Sequence, residues 1–497
     1  MNNPYNIVYD VAIVGGGIGG LMAAYQLKTK KPSLNICILE KGNKITKRVC
    51  PASDGKPCAH CKICSITSGM AGSGAYSDGK FNLGTVYGGT LGEALGESTA
   101  LKYIYDVDDI LRDHCQFPDV YPRSYFSNEE LKLHCLQNNL QLLDMEVRHL
   151  GSDRNFTIMK NLIQAIEDMG VVILHNRDVV DIFKTSDIAE EDYLNPLYKN
   201  LLQNSNYCLS SFNSCKKRKD GYDPLTDDLQ DLFANKVILA LGRSGSKLLK
   251  NICEEFKVPI HSNTVDLGVR VEMKDDIWKH FSEKIYEPKI LCKTKTFEDK
   301  TRSFCFNQGG IVSSESNNGI ITANGHSFSS PDKKTDNCNF AILSSINFTE
   351  PFNEPTEYCE NIAALSNKIG KGNVIVQRFG DLIRGRRTTE HRLSQNIVRP
   401  TLNATAGDLS LVLPYRIMTN IIETLYALDK VAPGTANDDT LLYGVEAKYY
   451  SIKPHMGSDF DIAKDLYVCG DCSGICRGLS QSGAMGLYIA DAILKTL

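Results

Sequence analysis

The stretch Y-D-V-A-I-V-G-G-G-I-G-G, residues 9 to 20, decides the fold of this chain. Residues 9 to 14 form a short apolar run that ends in glycines, which predicts a buried strand of a parallel sheet. Gly15, Gly17 and Gly20 follow with the spacing G-x-G-x-x-G. The first glycine permits a tight turn, the second lets the backbone approach a pyrophosphate, and the third lets a helix pack closely on the strand.

The residues that follow complete this unit. Apolar residues recur at helical spacing after Gly20, and a second apolar strand over residues 35 to 39 ends in Glu40. The helix N-terminus would present free N–H groups to the phosphates. Glu40 would accept hydrogen bonds from ribose hydroxyls and disfavour a 2′-phosphate, and Lys41 is a further cofactor-binding candidate beside it. The spacing of these parts predicts a Rossmann-type dinucleotide-binding domain.

Two distant segments favour FAD over NAD as the bound dinucleotide. Residues 236 to 242 have the sequence K-V-I-L-A-L-G, an apolar strand that ends in Gly242. Residues 465 to 474 have the sequence D-L-Y-V-C-G-D-C-S-G, a second strand that ends in glycine and aspartate before a predicted helix. An enzyme that binds only NAD needs neither of these late elements.

The late segment resembles the FAD-binding pattern of glutathione-reductase-type flavoproteins. The resemblance implies that Gly470 and Asp471 bind the ribityl chain, and that the helix with Gly483 and Ala484 directs its N-terminus at the flavin. A helix N-terminus stabilises negative charge, such as that of a reduced flavin ring. FAD is therefore the predicted cofactor.

A longer resemblance extends over almost the whole chain. It depends on residues 68 to 80 (S-G-M-A-G-S-G-A-Y-S-D-G-K), 266 to 272 (D-L-G-V-R-V-E) and 442 to 446 (L-Y-G-V-E). These stretches are similar to those of the uncharacterised FAD-dependent dehydrogenase family. The resemblance implies a flavoprotein of oxidoreductase type and names no substrate. The chain departs from the family pattern after Cys305, where F-N-Q-G-G replaces M-C-P-G-G, so a catalytic second cysteine is not shared.

The glycine-rich stretch before Lys80 has two interpretations. Its spacing G-x-x-x-x-G-K is that of a phosphate-binding loop, but Phe81 stands where Ser or Thr would bind Mg²⁺, which excludes nucleotide hydrolysis. We expect Gly72 and Gly74 to line the flavin or its pyrophosphate instead, because small residues allow close approach. The chain has no second G-x-G-x-x-G, so no dedicated NAD(P)H site is evident.

Cysteine is enriched, at 17 of 497 residues, and four cysteines lie within residues 50 to 64. Cys50, Cys58, Cys61 and Cys64 have the spacing C-x7-C-x2-C-x2-C. Such a set predicts either a metal site, holding Zn²⁺ or an iron–sulfur cluster, or free and redox-active thiols. A cluster in this segment would lie near the cofactor and relay electrons to it.

Two residues are candidates for catalysis. Cys305 lies between two phenylalanines, where a buried core thiol is the alternative to a catalytic one. His326 follows Asn-Gly at a predicted turn and replaces a methionine that is common in the family.

The sequence predicts an α/β fold with two domains. The Rossmann-type FAD-binding domain is glutathione-reductase-like and discontinuous, over residues 1–260 and 441–497. It includes the cysteine-rich loop 50–64 and a polar insertion, 184–233, that we expect to be exposed. Residues 261–440 alternate short β-branched runs with turns, which predicts an α+β substrate or cap domain with an antiparallel sheet.

Composition narrows the function. The formal charge of −4 argues against a nucleic-acid binder, and no apolar run is long enough to cross a membrane. The N-terminus shows no secretory signal, so we expect a cytoplasmic protein. The favoured hypothesis is an FAD-dependent oxidoreductase that passes a hydride between a small organic substrate and flavin N5, with NAD(P)H or a protein as a further electron donor. A flavin electron-transfer or redox-sensing protein with a cysteine-bound centre, and an RNA-modifying flavoprotein, are the open alternatives.

Overall fold

The computed structural model describes residues 3–51, 59, 61–77, 79–116, 124–126, 128–188, 195–215, 229–285, 287–317, 319–327, 331–348, 352, 354–449 and 452–497. The chain divides into two compact units. Unit 1 consists of Met1–Pro122, Arg148–His261 and Ser451–Leu497, and unit 2 consists of Arg123–Val147 and Ser262–Tyr450.

The strands of the described residues, in chain order, are β1 (Val8–Val14), β2 (Ile36–Glu40), β3 (Lys80–Asn82), β4 (Ser124–Phe126), β5 (Leu140–Leu142), β6 (Met145–His149), β7 (Val172–His175), β8 (Arg177–Lys184), β9 (Tyr207–Asn213), β10 (Gln230–Leu239), β11 (Ile260–His261), β12 (Val265–Lys274), β13 (Ile290–Lys293), β14 (Lys300–Asn307), β15 (Ile311–Asn317), β16 (Ile320–His326), β17 (Asn337–Ile346), β18 (Ile375–Arg378), β19 (Thr405–Ala406), β20 (Leu441–Tyr449), β21 (Lys453–Pro454), β22 (Asp461–Ala463) and β23 (Leu466–Val468).

The α-helices are α1 (Ile18–Lys30), α2 (Leu91–Leu95), α3 (Glu97–Asp113), α4 (Glu129–Gln137), α5 (Ser152–Asp168), α6 (Pro196–Gln203), α7 (Ser246–Glu255), α8 (Lys279–Ser282), α9 (Pro355–Ile369), α10 (Phe379–Ile383), α11 (Glu390–Ser394), α12 (Tyr415–Asp429) and α13 (Leu479–Leu494). None of them, within the described residues, is long and apolar enough to span a membrane.

Unit 1 is built on a sheet with the strand order β22-β23-β10-β1-β2-β7. From β23 to β7 all neighbouring strands are parallel. Successive side chains of β1 alternate between two cores, because Val11 and Ile13 pack with α1, α5 and α13 while Ala12 and Val14 pack with α7 on the other face. A parallel sheet covered by helices on both faces confirms the Rossmann-type domain.

The prediction that residues 184–233 form an exposed insertion is wrong for β9, whereas most of residues 195–200 are exposed as predicted. β9 is buried at six of its seven residues and pairs with both β8 and the first half of β10. Its sequence Y-C-L-S-S-F-N contains serines that made it look polar, yet small hydroxyl side chains are compatible with a buried strand when they are hydrogen-bonded. Residues 189–194 and 216–228 of the insertion lie outside the described residues.

Unit 2 is built on a second sheet, with the order β19-β18-β20-β12-β17-β14-β13-β5. All its pairs are antiparallel except β18 with β19, as the alternating pattern of residues 261–440 predicts. β15 and β16 form a separate hairpin. The core of this unit includes Trp278, whose ring packs at tilted or edge-on angles against Phe281, Phe306 and Phe340.

The unit boundaries differ from the predicted domains at two places. β20, at residues 441–449, was placed in the returning FAD domain, but it pairs with β12 and β18 inside the sheet of unit 2. β5 also belongs to unit 2, because it pairs with β13. The return to unit 1 therefore begins at Ser451.

Candidate cofactor site

The glycine turn, residues 15–20, joins β1 to α1. Gly15 has φ +110°, and a Cβ there would lie 2.2 Å from the carbonyl oxygen of Ala240. A Cβ on Gly20 would lie 2.3 Å from the carbonyl oxygen of Gly15. A Cβ on Gly17 would meet nothing within 4 Å. Gly15 and Gly20 are thus required by the packing of the protein itself, whereas the space at Gly17 is open to a ligand.

Glu40 ties three backbone segments together. Its buried carboxylate accepts hydrogen bonds from the N–H groups of Gly16 at 2.8 Å, Gly42 at 2.8 Å and Gly69 at 2.9 Å. An ionised carboxylate can accept about four hydrogen bonds, and the three backbone N–H groups supply three of them. The sequence did not predict this anchoring role, and the ribose contact of Glu40 stays a prediction.

A second glycine loop, residues 69–74, lies against the glycine turn. The N–H of Ala71 donates to the carbonyl of Gly16 at 2.8 Å. A Cβ on Gly72 would lie 3.2 Å from the Cα of Gly17, and one on Gly74 would lie 2.9 Å from the side chain of Leu479, the first residue of α13. The structure therefore places Gly72 and Gly74 beside both the glycine turn and the N-terminus of α13.

The segment around Asp471, at the start of α13, is the third part of the site. A 3-10 turn, Gly470–Ser473, follows β23. The Asp471 carboxylate accepts from the Ser482 hydroxyl at 2.9 Å and the N–H of Gly478 at 3.3 Å, and its other oxygen lies 3.9 Å from Nε of Arg243. Gly242 has φ +62°, and a Cβ on it would meet nothing within 4 Å. Asp471 thus connects the start of α13 to the turn after β10, and its contact with the ribityl chain stays a prediction.

Not every predicted residue faces this space. A Cβ on Gly483 would lie 3.0 Å from the Val107 side chain of α3, and Ala484 is fully buried. The structure gives both residues a role in helix packing inside unit 1 rather than at the start of α13. Lys41 is tied to the turn after β10, because its Nζ donates to the Ser244 hydroxyl at 3.0 Å.

Sequence reasoning missed two side chains at the start of α13. The Gln481 amide donates to the carbonyl oxygens of Thr85 and Tyr87 and accepts from the N–H of Leu91, so it anchors the segment before α2. Ser480 is 5% exposed, and its hydroxyl has no hydrogen-bond partner among the described residues. An unpaired buried hydroxyl at a helix N-terminus is suited to a polar ligand.

The predicted metal site at the four cysteines finds no support. Cys50, Cys61 and Cys64 are described, and no group of three potential ligands among the described residues could hold a metal ion. Cys58 lies outside the described residues. In the structure Arg48 is buried and its guanidinium donates to backbone carbonyls, so the segment is organised by this arginine.

The two candidate catalytic residues lie in unit 2. Cys305 is half-buried, has φ +52° and sits where the register of β14 against β17 shifts. A Cβ on Gly310 would lie 2.6 Å from Cβ of Asn307 and 2.6 Å from the carbonyl oxygen of His326, so the segments that contain Cys305 and His326 adjoin each other. Their catalytic roles stay predictions.

A buried ion pair accompanies Cys305 and was not predicted. Arg270 and Glu446 are both 0% exposed and their charged atoms lie 3.6 Å apart. The Arg270 guanidinium also donates to the carbonyl of Cys305 at 2.8 Å and to the amide oxygen of Asn339. The sequence does place one charged residue inside each of two apolar strands, Arg270 in V-R-V and Glu446 in G-V-E. This pattern could have indicated a buried ion pair.

His175 ends β7 directly opposite Glu40 of β2. Burial, with a smaller contribution from Lys44, lowers the pKa of His175 from 6.5 to about 4. Between these two pH values the unfolded chain binds a proton that the folded chain does not, so stability falls as the pH falls.

We expect the melting temperature of His175→Phe to fall less between pH 6.5 and pH 4 than that of the wild type. Differential scanning calorimetry over this range measures the difference. The control is His391→Phe at an exposed histidine, which should leave the slope unchanged. An equal slope in wild type and His175→Phe would contradict a suppressed titration of His175.

The comparisons with known proteins agree with this architecture. Residues 13–60 match the NAD(P)-binding Rossmann-like domain, and residues 266–449 match the FAD-dependent protein, C-terminal domain-like family. The first match covers the glycine turn and Glu40, and the second covers most of unit 2. The chain thus contains the domains of FAD-dependent oxidoreductases, which confirms the family resemblance of its motifs.

Other similarities are partial. A segment of 56 residues is 46% identical to the mitochondrial L-2-hydroxyglutarate dehydrogenase of Dictyostelium discoideum, and it covers 11% of this chain and 12% of that protein. The glycine oxidase of Bacillus cereus matches 98% of this chain and 96% of its own at 14% identity and a TM-score of 0.40. The L-proline dehydrogenase of P. horikoshii matches 98% and 94% at 11% identity and a TM-score of 0.40.

Proposed function

We propose that the chain is an FAD-dependent oxidoreductase that binds FAD in unit 1 and transfers a hydride between this cofactor and a small organic substrate. The observation that supports this most is the convergence of three segments distant in sequence: the glycine turn, the second glycine loop and the N-terminus of α13. We also propose the glutathione-reductase-type subclass, which the order of the late strand β23, Gly470 and Asp471 supports.

The residues of unit 1 suit a dinucleotide. A Cβ would meet nothing within 4 Å at Gly17, Gly242 or Gly478, so three glycines border open space. The N-termini of α1 and α13 offer free N–H groups, which favour phosphate and a negatively charged ring. The unpaired Ser480 hydroxyl adds a buried polar group beside one of them. We infer that Gly17 and Gly72 accommodate the pyrophosphate and that Asp471 holds ribityl hydroxyls.

When bound, FAD supplies the hydride acceptor, while the protein supplies binding and orientation. The chain's own residues act on the site by fixing its backbone. Glu40 holds Gly16 and Gly69 in place, and Asp471 holds the turn before α13. These contacts join groups of the protein itself, and a backbone held in this way needs less ordering when a ligand binds.

Neither alternative hypothesis is favoured by an observation. A cysteine-bound centre would need ligands that converge, and Cys50, Cys61 and Cys64 do not. An RNA-modifying protein would need a strongly basic surface, and the formal charge of −4 does not favour one.

We expect purified protein to contain one FAD per chain, released on denaturation and identified by its absorbance and by chromatography. The reason is that the three segments form one site in each chain. Apoprotein prepared by removing the flavin should regain the same stoichiometry with FAD but not with NAD. A colourless protein that FAD fails to reconstitute would refute the proposed function.

A further inference from the structure

We propose that Arg48 is a positioning residue for the cofactor: its guanidinium holds the second glycine loop against the glycine turn. The inference rests on the proposed function, because it takes FAD as the ligand of the site. It assigns a role to a side chain that neither the motifs nor the family matches single out. Arg48 contacts neither the glycine turn nor a catalytic group directly, so it acts through the loop.

The Arg48 guanidinium is hydrogen-bonded to backbone carbonyls through all three of its nitrogens. It is 3% exposed and lies just after a 3-10 turn, Ile45–Lys47. Its guanidinium donates to five carbonyl oxygens, of Ser65 at 2.9 Å, Ile66 at 2.8 Å, Gly69 at 3.4 Å, Met70 at 2.6 Å and Gly72 at 2.8 Å. Hydrogen bonds from a charged donor are about twice as strong as neutral ones. The loop is therefore held from the Arg48 side at three of its six residues.

A second contact fixes Arg48 itself. Its guanidinium carbon lies 5.0 Å from the centre of the Tyr76 ring, and the Tyr76 hydroxyl donates to the Arg48 carbonyl. Tyr76 ends the 3-10 turn Gly72–Tyr76 that follows the loop. Side chain and backbone of Arg48 are thus both held, which limits the positions that the loop can adopt.

The other side of the loop is held by Glu40 and by the glycine turn. The Glu40 carboxylate accepts from the N–H of Gly69, while Arg48 donates to the carbonyl of the same residue. The N–H of Ala71 then donates to Gly16, in an Ala71 conformation with φ +67° that is unfavourable for a residue with a side chain. Such a backbone persists only when its surroundings determine it, and Arg48 supplies three of the hydrogen bonds that do so.

The charge of Arg48 is not neutralised by a contact ion pair. Within the described part of the chain no carboxylate lies within 4.0 Å of its guanidinium, and the carbonyls satisfy it instead. Burial lowers the pKa of Arg48, and the nearby Glu40 carboxylate opposes this. A buried cation beneath a loop that borders Gly17 also favours an anionic ligand such as a pyrophosphate.

Lysine cannot replace these contacts. It has three donors on one flexible nitrogen, whereas the guanidinium has five in a rigid plane. We therefore expect Arg48→Lys to keep the charge but to release the loop. Arg48→Met, which removes charge and donors together, should have the larger effect.

The test measures FAD affinity and loop order separately. We expect Arg48→Lys to weaken FAD binding about tenfold and Arg48→Met about a hundredfold in fluorescence titrations of apoprotein, at 1.4 kcal/mol per tenfold change. Hydrogen exchange of the amides of residues 65–74 should accelerate in both variants, and the visible circular dichroism of FAD bound at saturation should change. Arg112→Lys, at an exposed arginine of the same unit, is the matched control and should match the wild type.

If the Arg48 variants do not fold, Tyr76→Phe gives a milder test, because it removes one hydrogen bond to Arg48 and keeps the ring. Wild-type FAD affinity and wild-type dichroism in a variant with a lowered melting temperature would assign Arg48 a purely structural role and overturn the proposal. Failure of the wild type to bind FAD would refute the proposed function instead, and the exchange rates of the apoprotein loop would still test whether Arg48 holds it.

Discussion

Replacing Glu446 by glutamine is expected to lower the free energy of unfolding of unit 2 by about 3–5 kcal/mol. Arg270 and Glu446 are both completely buried, at positions where β12 and β20 lie side by side. Removal of the carboxylate leaves the Arg270 guanidinium as an uncompensated charge in the interior. The neighbouring Lys448, 3.6 Å from the same carboxylate oxygen, loses a partner as well.

The double variant Arg270→Met with Glu446→Leu should recover at least half of this loss. A buried ion pair that is replaced by apolar residues of similar volume is often neutral in stability, because its desolvation cost disappears with it. Recovery should be incomplete, since Asn339 and the carbonyl of Cys305 each lose the charged donor and keep only the Asn307 amide. Urea unfolding monitored by the fluorescence of Trp278, the single tryptophan and a core residue of unit 2, measures all three proteins.

Glu130→Gln is the matched control, since the Glu130–Lys284 pair is exposed and should contribute no measurable stability. If Glu446→Gln unfolds at the same urea concentration as the wild type, the carboxylate is not paired as described. If the double variant is less stable than Glu446→Gln, the ion pair stabilises the protein more than apolar residues of similar volume do.

The parts of the fold that local physics determines were predictable from the sequence. The strand before Gly15, the helix after it and the acid at Glu40 follow from spacing alone, and the parallel sheet confirms them. The steric roles of Gly15 and Gly20 were predictable for the same reason, because a Cβ at either position would meet backbone atoms. Gly17 lacks such a contact, which matches its expected role beside a pyrophosphate.

The contacts that organise the site were not predictable, because they join side chains to backbone groups far away in sequence. Arg48 lies in a segment with Lys41, Lys44 and Lys47, and nothing in this local sequence distinguishes it as a buried residue. Its burial depends on carbonyls up to 24 residues later, which no local pattern reveals. The same holds for Glu40 and Gly69, 29 residues apart. The contact of Gly483 with Val107 of α3 was not predictable for the same reason, and its predicted role at the cofactor stays a prediction.

The sequence pattern of a strand also did not predict which other strands it pairs with. β9 looked polar, and its burial follows from pairing with β8 and β10. β20 lies only two residues before the return to unit 1, and its membership of unit 2 follows from pairing with β12. The composition of a segment indicates whether it is polar or apolar, whereas the strands that it pairs with determine the sheet and the unit to which it belongs.

Gly17→Ala is expected to weaken FAD binding by roughly tenfold to a hundredfold while the apoprotein keeps its melting temperature. The backbone at Gly17, with φ −75° and ψ 178°, is accessible to alanine, and the added methyl meets no protein atom within 4 Å. Alanine is a poorer N-cap than glycine, but it also reduces the conformational entropy of the unfolded chain, and these two effects on stability oppose each other. The methyl therefore acts mainly on the ligand, where an overpacked contact costs about 1–3 kcal/mol.

Gly20→Ala should behave differently, and the pair of variants separates ligand contact from packing. A Cβ on Gly20 would lie 2.3 Å from the carbonyl oxygen of Gly15, a backbone atom that cannot move aside without displacing β1. We expect the melting temperature of the Gly20→Ala apoprotein to fall, with FAD affinity falling as a consequence. Differential scanning fluorimetry of apoprotein and fluorescence titration with FAD give both quantities for each variant. Wild-type FAD affinity in Gly17→Ala would show that the cofactor does not approach this glycine, and the proposed site would have to be abandoned.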